Sequence, residues 1–203
     1  MPEGKWNAYE HNLRIPMVIA GPGIKAGSEF ELIASNVDTI PTAFGLAGIP
    51  TPPSMDGRSY AHLLLASSAG GVDPAAPAPA RTLLAAQPTA AEWRTEQLIE
   101  YGGGGPVVRY EHLEDIHNNT FRCLRVVDKT AAAGESNVKL CEFVGWADWD
   151  YTSGGADSEW ELFDLDSDPY ELKNLWKSQA SALGAKLRKR LEALYACAGM
   201  SCN

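Results

Sequence analysis

Cys123 and Cys141 stand at equal distances from position 132, within an Ala-, Gly- and Ser-rich stretch at 131–136. The flanking runs, Thr120 to Val127 and Val138 to Trp146, are rich in β-branched and aromatic side chains, as strands are. A hairpin turning in that stretch sets the two cysteines opposite each other on adjacent antiparallel strands. Register alone therefore predicts a Cys123–Cys141 disulfide. Cys197 and Cys202 close a small loop around Gly199, which suits a staple at the end of the chain. Four cysteines allow three pairings, and both arguments choose this one. Zinc ligands usually come as two tight pairs, and only Cys197 and Cys202 are close, so disulfides are the better reading.

Other elements follow from periodicity. Gln97 to Tyr101 and Trp160 to Leu165 read as further strands. Leu183, Leu187, Leu191 and Leu194 recur at helical spacing, with Lys186, Arg188, Lys189 and Arg190 on the solvated faces. In the first half, Ile15 to Ala20 is an apolar run closed by Gly21-Pro22-Gly23, the pattern of a strand buried on both faces. Ser35 to Asp38 offers helix-capping side chains, and Ile40, Phe44, Ala47 and Ile49 mark an apolar helical stripe ended by Gly48 and Pro50. Residues 66–92, rich in Ala, Pro, Ser and Gly, read as a long loop or linker. The expected organisation is thus an incomplete α/β part over 1–65, a linker over 66–92 and a β-rich subdomain with a terminal helix over 93–203. One strand and one helix do not make an α/β domain, so the remainder of that sheet is expected from chain not present here.

With 203 residues, 45% hydrophobic content and six tryptophans, the chain can build a core. A formal charge of −9 argues against nucleic acid and anionic membranes as partners. No apolar run approaches the roughly 20 residues that a membrane helix needs. Met1 to Lys5 lacks the pattern of a signal peptide, which for a truncated protein means only that its beginning is missing. The sequon Asn118-Asn119-Thr120 and the even cysteine count point to an oxidising, glycosylating compartment, with Asn118 the candidate glycan acceptor.

Residues that could carry chemistry are sparse. His11, His62, His112 and His117 have no metal-ligand spacing. Asp164 to Asp168 begins like a calcium loop but lacks the glycine and the distal glutamate, and Pro169 interrupts it. No serine-hydrolase, zinc-protease or nucleotide-binding motif is found.

Several segments together carry a resemblance. Gly4-Lys5-Trp-Asn-Ala-Tyr9-Glu10-His-Asn-Leu-Arg14-Ile-Pro16 resembles the sulfatase signature Gly-Lys-x-x-x-Tyr-Glu-x-x-x-Arg-x-Pro. Gly21-Pro22-Gly23, Asn36-Val37-Asp38, Leu46-Ala47-Gly48 and Met55-Asp56-Gly57-Arg58-Ser59 follow in the order that sulfatases show. In the second half, Trp93-Arg94-Thr95, Phe121-Arg122-Cys123, Leu140-Cys141-Glu142-Phe143, Glu161 to Leu165, Asp168-Pro169 and the terminal Cys-x4-Cys are similar to the N-acetylglucosamine-6-sulfatase branch, with arylsulfatases close to it.

The resemblance implies the C-terminal part of an alkaline-phosphatase-like α/β sulfatase fold, followed by a small antiparallel sheet packed with a C-terminal helix. It implies a sulfuric ester hydrolase acting on 6-O-sulfated glucosamine, related sulfated glycans or aryl sulfates. Ca2+ and a formylglycine made from a cysteine in Cys-x-Pro-Ser-Arg belong to that chemistry. None of the four cysteines here has that context, and the aspartates that hold the ion belong to motifs not found in this chain. The expected partner is therefore a missing N-terminal part, and the expected location is the secretory pathway, lysosomal or extracellular. Lys5 matches the family lysine that contacts the sulfate; Tyr9, Glu10, Arg14, Asp56 and Arg58 read as scaffold. The alternative is a non-catalytic module that binds sulfated glycans.

Overall fold

The computed structural model describes residues 7–66, 73–74, 76–84, 90–103, 119–144, 158–179 and 182–202. It divides into two compact units. One comprises Met1–Pro16 with Glu96–Tyr195, the other Met17–Thr95 with Ala196–Asn203.

The first unit is organised by a four-stranded antiparallel sheet of β1 (Glu96–Tyr101), β2 (Thr120–Val127), β3 (Asn137–Val144) and β4 (Glu159–Asp164), in sequential order. All four strands expected from the sequence are present, their ends within a residue or two. Cys123 pairs with Cys141 across β2 and β3, and the sulfurs are joined, with Cα atoms 4.1 Å apart. Gly134 takes a left-handed φ of 79° in the connecting turn, which a side chain would resist.

Period-two alternation sends residues to opposite faces of this sheet. Leu98, Leu124, Val126, Val138, Leu140, Trp160 and Leu162 lie on one face, covered by the helix Leu183–Tyr195 through buried Leu187 and Leu191. This is the leucine stripe read from the sequence. Burying each such leucine contributes about 1.5–3 kcal/mol. The opposite face carries Phe121, Cys123, Arg125, Lys139, Cys141, Glu161 and Phe163. Ala8 packs there against Phe121, Cys123 and Cys141, just before the short α1 (Glu10–Leu13).

The second unit contains α2 (Thr39–Ala47), α3 (Ala61–Leu64) and α4 (Ala78–Leu84), around a core of Ala61, Leu65, Ala76, Ala80 and Leu84. Three expectations are corrected here. Residues 15–20 are not a strand; Val18 is 93% exposed and Met17 48%. The backbone of Ile15 to Ala20 has no ladder neighbour among the described residues, and an apolar run without one cannot become a strand. The second correction concerns α2, which exists but buries Pro41, Thr42 and Gly45 while Ile40 stays 54% exposed. Its neighbours approach the small-residue side: a Cβ on Gly45 would lie 2.4 Å from the Ser59 hydroxyl, so close packing wins over apolar area. Third, the segment read as a loop contains α4, whose Ala80 and Leu84 are buried. Small side chains let it sit close, and alanine favours helix.

Candidate functional site

The residues of the sequence signature that the structure describes are Asn7 to Pro16, and the sheet holds them at several points. Lys139 on β3 is fully buried and donates from Nζ to the Ala8 carbonyl oxygen. The same ammonium pairs with the Glu171 carboxylate. Glu171 Oε2 in turn accepts the backbone N–H of Glu10 at 2.6 Å. Glu10 Oε1 accepts Arg125 Nε from β2 at 3.1 Å, and Arg125 is braced by Asn137 Oδ1 at 2.7 Å. The Tyr9 phenol lies near the Glu161 carboxylate of β4, and its ring meets Phe163 edge-on at 6.4 Å.

Electrostatics follow from this enclosure. Burial pulls the Lys139 ammonium below its ordinary pKa, and Glu171 opposes that shift. Burial pushes the Glu161 carboxyl up, with Lys139 pulling the other way. The Tyr9 phenol is also raised, first by burial and then by the negative charges of Glu161 and Glu171. Glu171 adopts φ 57°, a left-handed conformation costing a non-glycine residue about 1–2 kcal/mol. That conformation turns Glu171 inward while Tyr170 and Leu172 on either side are 81% and 85% exposed. Asp168 fixes this turn by accepting the Leu172 and Lys173 amides at 3.1 and 2.8 Å.

The second unit has a polar hub of its own. Asp38 is fully buried; its Oδ1 accepts the Arg58 amide at 2.8 Å and its Oδ2 the Ser35 amide at 2.8 Å. Arg94 completes the carboxylate's surroundings as an ion pair, and burial lowers its pKa to about 10, leaving it charged at neutral pH. Both Arg58 and Arg94 stack on the Trp93 ring, at 5.0 and 5.2 Å from its centre. Gly57 must be glycine, because a Cβ would lie 2.0 Å from the Val37 carbonyl oxygen. Asp56 Oδ1 accepts the amide of Gly199 at 2.5 Å, inside the loop closed by the Cys197–Cys202 disulfide.

Of the candidate site residues, Lys5 and Asn118 lie outside the described residues. All four cysteines are in disulfides. Tyr9 and Glu10 sit in the sheet-bound network, whereas Arg14 is exposed and Asp56 and Arg58 belong to the second unit. Among the described residues no group of three or more His, Cys, Asp or Glu could hold a metal ion, so they do not fit a calcium site. The Asp164–Asp168 turn shows why: Asp164 accepts from Asp166 and Ser167, and Asp166 from Ser136 and Asn137. Lys139, Glu161 and Glu171 were not singled out from the sequence. A lysine in phase with Cys141 and Phe143 on a strand was the available signal.

These positions fall where known proteins are similar. Residues 4–71 match the family model described as N-sulphoglucosamine sulphohydrolase, C-terminal. An N-acetylglucosamine-6-sulfatase from Bos taurus is 27% identical over 100% of this chain and 33% of its own length. An arylsulfatase from Chlamydomonas reinhardtii is 28% identical over 98% of this chain and 28% of its own. A solved structure of a protein in complex with its substrate D-glucosamine-2-N,6-O-disulfate superposes with a TM-score of 0.50 and 26% identity, covering 83% of this chain and 25% of that one. The chain is thus similar to sulfatases along nearly its whole length. More particularly, it corresponds to a C-terminal portion and spans about a third of the length of the bovine relative.

Proposed function

We propose that this chain is the C-terminal part of a sulfuric ester hydrolase acting on 6-O-sulfated glucosamine or a related sulfated glycan. The observation that carries the reading is the attachment of the Ala8–Glu10 backbone to the sheet, a few residues after Lys5 of the same signature. In this reading Lys5 is the residue that contacts sulfate. Its ammonium stabilises negative charge that grows on the sulfate oxygens as the ester is displaced, so it acts more on the transition state than on the ground state. A formylglycine outside this chain would supply the nucleophile, and Ca2+ would be held by residues outside it too. With every cysteine here in a disulfide, no thiol is available for that conversion. Two disulfides suit the secretory pathway, where Asn118 is the proposed glycan acceptor.

The test uses a chromogenic sulfate ester and glucosamine 6-sulfate. The 203-residue chain alone is expected to give no turnover, and turnover above a matched blank would overturn that. In the longer sulfatase that carries the chain, Lys5→Ala is expected to lower kcat about 100-fold or more with the melting temperature kept. Lys5→Arg should rescue poorly, since a planar fork cannot replace a compact charge. Parent-like turnover in Lys5→Ala would remove the assignment.

A further inference from the structure

We propose that the buried Lys139–Glu171 pair is a positioning device for the signature segment, holding the Ala8 and Glu10 backbone and thereby setting where Lys5 stands. The inference rests on the reading of Lys5 as the sulfate-contacting residue.

A lysine inside a sheet is expensive. An apolar side chain of similar volume in place of a buried ion pair is often neutral or stabilising. Lys139 therefore adds little to stability by being charged. What the pair supplies is direction. Lys139 Nζ reaches the Ala8 carbonyl oxygen, and Glu171 reaches the Glu10 amide. Both targets are backbone atoms, so the contacts fix the path of the chain rather than a particular side chain. They grip on both sides of Tyr9, whose ring packs edge-on against Phe163. The scaffold behind them is rigid: Lys139 lies two residues from the Cys141 disulfide, and Glu171 is held in a left-handed turn that Asp168 ties down.

From Ala8 back to Lys5 is three residues, at most about 10 Å of chain. A chain of that length keeps Lys5 within reach of the anchor at Ala8. Charge stabilisation in a reacting complex is sensitive on that scale, and a displacement of about 1 Å can cost about 100-fold in rate. Glu171 is also placed at some conformational cost, which is understandable if its carboxylate must meet one amide.

The decisive variant is the double replacement Lys139→Met with Glu171→Gln, which removes both charges of the pair together. It is made in the longer sulfatase, alone and combined with Lys5→Ala, and in the 203-residue chain for hydrogen exchange. Four results are expected. The melting temperature stays within a few degrees of the parent. Exchange at the amides of residues 9–14 quickens. The value of kcat falls about 10- to 100-fold while KM changes less than about twofold. In the Lys5→Ala background the double replacement costs no further turnover, because its effect runs through Lys5. An unchanged kcat with quickened exchange would make the pair a fastener of no consequence for the reaction. Unchanged exchange would deny the clamp itself, and additive losses with Lys5→Ala would deny the route through that lysine. If the double variant does not fold, Glu171→Gln alone is judged by the same measurements. Failure of the underlying reading is visible separately, as parent-like turnover of Lys5→Ala, while the exchange result still decides whether the pair holds the backbone.

Discussion

The two units bury their apolar residues by different rules. In the sheet unit the sequence periodicity and the burial agree: Leu124, Leu140, Leu187 and Leu191 are all fully enclosed. In the other unit the large apolar side chains Val18, Ile40 and Ile49 stand open, while Ala61, Ala80 and the aspartate of Asp38 are enclosed. The first unit is held chiefly by apolar area around a cross-linked sheet. The second is held by a few large side chains, Tyr60, Leu65, Leu84 and Trp93, together with small residues in close contact and a carboxylate that gathers two amides and a guanidinium. A hydrophobic pattern thus reports the faces that come to be covered, and it is silent where polar hubs and glycine contacts define the interior.

The contrast can be broken most forcefully at Asp38. Asp38→Ala strands the buried Arg94 charge and frees two amides, so a loss of about 3–5 kcal/mol is expected. Hydrogen exchange should show the loss confined to the second unit, with β2 and β3 still protected; equal loss in both units would show that they unfold as one. The counterpart in the first unit is removal of the hairpin disulfide. Cys123→Ala with Cys141→Ala opens a cross-link spanning 18 residues and is expected to cost about 3 kcal/mol by chemical denaturation. A cost under about 1 kcal/mol would mean that apolar burial alone sustains the sheet.

The smallest effect sharpens the comparison through pH. Burial raises the folded-state pKa of Glu161, so the folded protein binds this proton where the unfolded chain does not. Its contribution to stability therefore falls as pH rises through that window. The penalty is absent below the ordinary glutamate pKa and complete above the raised one. Glu161→Gln should melt higher than the parent at neutral pH and converge with it below about pH 4. A variant that melts lower at neutral pH would show that attraction to Lys139 outweighs the burial penalty.

How much of this was legible follows from the same division. The β2–β3 hairpin was readable because β-branched runs flank a turn and the cysteines fix the register. The helix over Leu183–Tyr195 was readable because its core lies within the same unit. Ile15 to Ala20 has the pattern of a strand among neighbours that the described residues do not supply. The buried side of α2 was hidden because Thr42 and Gly45 carry no hydrophobic signal. For the candidate site, Tyr9 and Glu10 were visible through the signature, but their partners were not. Lys139 looks like any strand lysine, and Glu171 lies between Tyr170 and Leu172, where alternation would send the apolar neighbours inward. A single left-handed residue inverts that order.

The placement of Ala8 and Glu10 also bears on the order of folding. The bond from Lys139 to Ala8 spans 131 positions and that from Glu171 to Glu10 spans 161. Closing loops of that size costs entropy that only an existing docking surface can repay. The hairpin and its neighbouring strands, built from contacts of short separation, can form first and present the completed face. During synthesis the signature segment must wait for about 160 further residues to emerge before it has its last partner. The signature segment is thus made before its partners and seated only after them.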